Sequence, residues 1–112
     1  MKVFSRGTQP NQLFAKAEGT DDAVTTITIA ANANHFWALD HVAFSGSVNP
    51  DVDVTLTITF GSTEVFKHFI MTGGVGLALL GGMTAGNKNE AVTIESSAAG
   101  SGKKINLSVA YR

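Results

Sequence analysis

No cysteine occurs in the 112 residues, so the chain has no disulfide framework and no thiolate metal site, and its stability must come from packing or from assembly. The same absence fits a protein made in a reducing cytoplasm. Charge is scarce as well: Asp, Glu, Lys and Arg make up 15% of the chain, and the net charge is −1. A nucleic-acid module needs a clustered basic face to neutralise phosphates, and this balance argues against one. No stretch approaches the roughly eighteen apolar residues of a membrane span. Met1 to Pro10 also lacks the apolar core of a signal peptide, so a soluble, unprocessed protein with no membrane partner is expected.

What is present is an ordinary globular share of apolar residues, 44%, in a chain long enough for one core and not for two. The clearest stretch runs from Asp51 to Met71. Val52, Val54, Leu56, Ile58 and Phe60 fall on one side of an extended chain, and Asp53, Thr55, Thr57 and Thr59 on the other. Period-two alternation with β-branched residues on both faces is a strand with one dry face, since a helical period would smear those positions around a cylinder. Gly61-Ser62-Thr63 allows a tight reversal, and Val65 to Met71 supplies the second half of a hairpin.

Other segments carry the same signal. Leu13 to Glu18 reads as a short first strand, Ala23 to Ala30 as a second with Ile27 and Ile29 on one face, and Ala31 to Asn34 as a turn. His35 to Ser45 is extended and apolar on both sides. Such a strand either is central in a sandwich with one face at a subunit interface, or carries a bulge that switches its register. Gly73 to Gly82 is glycine-rich and is expected to hold a short strand, Leu77 to Leu80, between two hinges. Glu90 to Ser96 and Lys104 to Arg112 complete the set, with Val92, Ile94, Ile105, Leu107 and Val109 inward. Seven or eight short antiparallel strands, with turn chemistry between them, predict an all-β, single-domain β-sandwich of jelly-roll type over residues 13–112. Residues 1–12 form an extended N-terminal arm. Its Val3 and Phe4 belong either to a frayed end or to an arm ordered against a neighbouring subunit.

Residues with chemistry in them do not converge in the sequence. His35 and His41, read as one strand, share a side but stand roughly 20 Å apart at about 3.3 Å per residue, and His68 lies elsewhere. Asp40 and His41 are adjacent and so point to opposite faces, and Asp40 is expected to bond a loop backbone; no G-x-S-x-G turn supplies a serine nucleophile. Asp51 and Asp53 share a strand face, which suits either weak calcium binding or solubility. No catalytic residue, metal ligand or cofactor site is assigned, and an enzyme is not expected. Leu77, Leu79 and Leu80 would be an aggregation hazard if exposed, unless small neighbouring residues let another subunit approach closely. Trp37 suits a core position, an interface anchor or a sugar-stacking platform.

Two stretches carry a resemblance. Phe36-Trp37-Ala38-Leu39-Asp40-His41-Val42-Ala43-Phe44-Ser45-Gly46-Ser47 and the terminal Lys103 to Arg112 resemble a group of small β-rich structural proteins of tailed bacteriophages. The shared pattern is an aromatic-x-Leu-Asp-x-Val-x-aromatic-Ser strand, a Gly/Pro turn, and a Gly-Lys-apolar-x-apolar strand close to the C-terminus. It covers most of the chain from Val24 onward and departs at Leu77 to Met83, where the group has a proline-bearing segment. The resemblance implies a virion location after synthesis in the host cytoplasm. The implied role is a capsid decoration (cement) protein bound to the major capsid protein, as a homotrimer without nucleic acid. Val3, Phe4, Leu77, Leu79 and Leu80 are the expected contact residues. The alternative is a tail or fibre-tip module that recognises a host surface glycan through Trp37, Asn32, Asn34 and Asp40.

Overall fold

The computed structural model describes residues 12–49, 52–70, 73–84 and 87–112, and every regular element among them is a β-strand. The strands are β1 (Leu13–Ala17), β2 (Thr25–Ile29), β3 (Leu39–Ser47), β4 (Val54–Phe60), β5 (Thr63–Ile70), β6 (Gly73–Met83), β7 (Val92–Ser96) and β8 (Ile105–Tyr111). They form two four-stranded sheets in the orders β1-β8-β3-β6 and β2-β7-β4-β5, and every pairing is antiparallel. Only β4 and β5 follow one another within a sheet; every other connection crosses between sheets. Eight strands wound in this order are a jelly roll.

The alternation read from β4 sets the middle of the core. Val54, Leu56, Ile58 and Phe60 are all buried, and the threonines between them face outward. They meet Ile27 and Ile29 of β2, Val92 and Ile94 of β7, and from the other sheet Leu39, Val42, Ile105, Leu107 and Val109. Gly61 and Ser62 make the two-residue β4–β5 loop, and Gly61 has φ +61°, the left-handed angle that a tight hairpin asks of its first central residue.

Where β3 is apolar on both sides, the structure holds a bulge. Its register slips between Leu39 and His41 against both β6 and β8. The extra residue changes the parity of the strand, so Leu39 and Val42 are both fully buried although three positions apart. Two expectations need correction. The extended segment does not begin at His35: Asn32 and His35 bridge one another, and the Asn34 N–H donates to Asn32 Oδ1 at 2.9 Å, so His35 belongs to a turn and shares no strand with His41. The glycine-rich stretch is also not a four-residue strand between hinges. β6 runs unbroken for eleven residues, because β3 supplies ladder partners from Gly73 to Leu79 whatever the side chains are. Only near its end, at Gly81 (φ +61°) and Gly82 (φ +83°), does the backbone leave the regular β region.

The two long margins of the sandwich differ. At the β1/β2 margin the sheets are tied together: the Thr25 hydroxyl donates to the Ile105 carbonyl at 2.7 Å, and the Gly19 N–H donates to Asn106 Oδ1 at 2.8 Å. A Cβ on Gly19 would overlap the Ile105 carbonyl, so this approach requires glycine. At the β5/β6 margin the sheets meet through rings. Phe44 from β3 and Phe66 from β5 both lie against His68, with centroids 6.3 Å apart in each pair. The N-terminal arm, with Val3 and Phe4, lies outside the described residues apart from Gln12, and so does Asp51.

Candidate interaction surface

The outer faces of the two sheets have opposite chemistry. Across β2-β7-β4-β5 the register aligns Thr26, Glu95, Thr57 and Lys67 in one row and Thr28, Thr93, Thr59 and Glu64 in the next. Threonine and paired charges suit water, and Lys67 Nζ lies 3.4 Å from Glu64 Oε1. Across β1-β8-β3-β6 the rows are Phe14, Ala110, His41 and Leu79, then Lys16, Ser108, Ala43 and Leu77. Lys16 is the one ordinary charge in those eight positions. Phe14 is 69% exposed, Leu77 56% and Leu79 78%, so large apolar side chains stand along both edges of a face whose middle is Ala43, Ser108, Ala110 and His41. Two shallow depressions of about 290 Å³ each lie between Phe14, Lys16 and that middle. His41 sits in the first of these rows, on central strand β3, with a buried Nδ1 that has no hydrogen-bond partner among the described residues.

The period-two rule divides the three leucines singled out in β6. Leu77 and Leu79 project outward, whereas Leu80 turns inward and packs against the core. Phe14 and His41 join the two outward leucines on the same face, and sequence reasoning did not select them. A signal was present in Leu-Phe-Ala-Lys-Ala, where Ala15 and Ala17 pack on the core and so commit Phe14 and Lys16 to the opposite side. Around the β5/β6 margin, Phe44, Phe66, His68 and Gly76 to Leu79 line a cleft of about 350 Å³ that opens the core to the outside.

Three of the four residues of the glycan reading also come together. Asn32, Asn34 and Trp37 line one cavity of about 370 Å³ with Leu13, His35 and Arg112. Trp37 is half-buried, its indole N–H donates to the Ala30 carbonyl at 3.0 Å, and it meets His35 and Tyr111 edge to face at 4.6 and 5.4 Å. Asp40 does not line the cavity, and where the sequence reading expected it to bond a loop backbone, its partners among the described residues are side chains. Its Oδ1 accepts from Arg112 Nε at 3.1 Å and its Oδ2 from the Gln12 amide at 2.9 Å. Through that ion pair it holds Arg112 in the cavity wall. The three histidines occupy three places: His35 in this cavity, His41 on the outer face and His68 at the β5/β6 margin. Asp53 is exposed on the approach to β4.

No protein-family model matches the chain, and no curated protein sequence does. Several solved structures are similar in shape. The CBM36-1 domain of a multidomain xylanase from the hindgut metagenome of Trinervitermes trinervoides is 9% identical, with 90% of this chain and 95% of that one covered at a TM-score of 0.48. The Tobacco streak virus coat protein is 11% identical, with 94% of this chain and 90% of that one covered at a TM-score of 0.36. The class is therefore defined by the strand order itself: a single jelly-roll β-sandwich with one polar and one apolar outer face.

Proposed function

We propose that the protein is a structural component of a phage virion, a decoration or cement protein that binds the outer shell of the capsid as an oligomer. The observation that carries this reading is the outer face of the β1-β8-β3-β6 sheet, where Phe14, Leu77 and Leu79 stand exposed around a nearly uncharged centre. A face of that kind loses apolar surface to water until a partner covers it. The resemblance of Phe36 to Ser47 and of Lys103 to Arg112 to phage structural proteins supports the choice of partner, the major capsid protein. The mechanism is mass action. A protein that binds the assembled lattice and not its free subunits stabilises the lattice by about 2.7 kcal/mol per site at a hundred times its Kd, and an oligomer that bridges neighbouring subunits gains further through avidity. No enzymatic activity and no cofactor enter the proposal.

The test is co-sedimentation with cognate heads stripped of this protein. Wild-type protein is expected to pellet with the heads and raise their disruption temperature, and Phe14→Lys to bind more weakly. Wild-type protein that stays in the supernatant at tens of micromolar overturns the reading.

A second reading is kept because Asn32, Asn34 and Trp37 share a cavity with Arg112. There the protein is a tail or fibre-tip module, and a host surface glycan packs beside the indole with the asparagines and Arg112 bonding its hydroxyls. Trp37 is the sole tryptophan, so its fluorescence reports the site directly. Saturable fluorescence changes with oligosaccharides chosen from a glycan array, lost in Asn32→Ala, favour this reading; a blank array removes it.

A further inference from the structure

Strand β6 is an edge that lacks the protection given to the other three. β1 and β2 are five residues each, and β1 carries Lys16. β5 carries the Glu64–Lys67 ion pair on its exposed side chains. Short length and charge are the usual devices that stop an edge from pairing with another chain. β6 is eleven residues, has no charged residue and no proline, and among the described residues is paired on one side only, to β3. Its Leu77 and Leu79 are exposed, and Gly76 and Ala78 between and beside them are small enough for a neighbouring backbone to approach.

We infer that β6 pairs antiparallel with β6 of a second copy about a two-fold axis through Ala78, joining two β1-β8-β3-β6 sheets into one of eight strands. A two-fold contact requires a surface that matches its own reverse. Leu77-Ala78-Leu79 reads the same in both directions, so this register sets Leu77 of each copy opposite Leu79 of the other on the outer face. Those are cross-strand apolar pairs at the spacing where such pairs stabilise a sheet. The same axis brings the two β5/β6 margins together, so the clefts lined by Phe44, Phe66 and His68 close against each other. The regular part of β6, Gly73 to Leu80, at about 3.3 Å per residue gives an end about 26 Å long, and two sheets about 10 Å apart with their outer side chains make it about 20 Å deep. The product, roughly 500 Å² per copy or about 1,000 Å² in all, reaches the area of about 1,000 Å² that a specific interface needs. The joined outer faces place both copies of Phe14 and His41 on one continuous apolar surface for the capsid. The inference rests on the self-association in the proposed function and replaces the three-fold association that the phage resemblance implies.

Sedimentation velocity on the full chain tests it. Wild-type protein is expected to be a dimer at micromolar concentration. Leu79→Lys, which replaces an apolar cross-strand pair with a charge set against the partner's Leu77, is expected to raise the dimer Kd by at least about tenfold while leaving the far-UV circular dichroism of the folded chain unchanged. Thr26→Lys on the opposite edge should leave the dimer intact. The absence of cysteine makes the register testable. A mixture of Leu77→Cys and Leu79→Cys proteins should form a mixed disulfide on oxidation faster than either alone, because like positions are diagonal neighbours about 7–8 Å apart, too far for a disulfide. A wild-type monomer or trimer, a dimer indifferent to Leu79→Lys, or equal cross-linking in all three samples overturns the inference. Head binding is scored separately: a dimer that ignores heads refutes the capsid reading alone, and a monomer that binds them refutes the pairing alone.

Discussion

The ring of Phe44 lies on the backbone of Gly76, its register partner across the β3–β6 ladder. A Cβ at position 76 would overlap the ring. The aromatic side chain thus covers a glycine that offers no packing of its own, and in doing so it forms one wall of the cleft at the β5/β6 margin. A glycine inside a long strand, which costs backbone entropy, is explained by what its neighbour needs.

Gly76→Ala is therefore expected to destabilise the fold by about 1–3 kcal/mol, the cost of overpacking a fitted site, although alanine is the better strand former. The check is urea unfolding of the single mutant and of Gly76→Ala combined with Phe44→Leu. The double mutant should recover part of the loss, since a smaller partner removes the overlap and two residues in contact do not add independently.

Thr25 makes the corresponding tie at the other margin. Its hydroxyl is buried, 3% exposed, and donates to Ile105 O across the two sheets. Thr25→Val keeps the shape and leaves that carbonyl unpaired, so a loss of about 1–3 kcal/mol is expected. Thr26→Val, one residue on and on the exposed face, should stay within about 0.5 kcal/mol. Equal effects at the two positions in urea melts would show that the bond between sheets contributes nothing.

These two margins mark the limit of what the sequence made legible. β2, β4, β7 and β8 were readable because each buries one face, and burial writes a period of two into the residues: Ile27 and Ile29, Val54 to Phe60, Val92 and Ile94, Ile105 to Val109. The bulge in β3 was legible as an anomaly, because Leu39 and Val42 have opposite parity and both must be inside. Only Leu77 to Leu80 of β6 was legible as a strand, since the strand character of the flanking glycines comes from β3 and not from their own side chains. The Asp40–Arg112 pair was hidden for another reason: 72 positions separate its members, and only the pairing of β3 with β8 brings them together. Trp37, Asn32 and Asn34 lie close in space because the turn at Asn32 to His35 is local, whereas Asp40 stands outside their cavity. Leu77 and Leu79 were separable from Leu80 by the same parity rule that served β4.

Leu56 has no exposed surface and sits in the middle of β4 with Leu39, Ile58 and Ile94 among its fellow core residues. Leu56→Ala is expected to cost about 2–5 kcal/mol, the lost transfer free energy plus the cavity left behind. Thr57→Ala, facing out on the same strand, is expected to cost under about 1 kcal/mol. Chemical denaturation of the pair measures the difference, and it fixes which face of β4 is core.

Asp40 accepts from two side chains at once, Arg112 and Gln12, and its carboxylate is 18% exposed beside a guanidinium that is 39% exposed. Solvent screens a pair this open, which places it between an exposed ion pair, worth at most about 1 kcal/mol, and a buried charged hydrogen bond, worth about 1.5–3 kcal/mol. Asp40→Asn is expected to lower stability by about 1 kcal/mol, and the gap from wild type should narrow in 1 M salt, where the Debye length falls to about 3 Å. The end of β8 should remain in place, because Ala38 and Arg112 also exchange two backbone hydrogen bonds, Ala38 N to Arg112 O at 2.8 Å and Arg112 N to Ala38 O at 2.9 Å. Urea melts at low and high salt decide between two accounts. A gap that shrinks with salt shows that charge attraction carries the pair. A gap that persists shows that the fixed hydrogen bonds do, and then Arg112→Gln, which keeps a donor and removes the charge, should retain most of the wild-type stability.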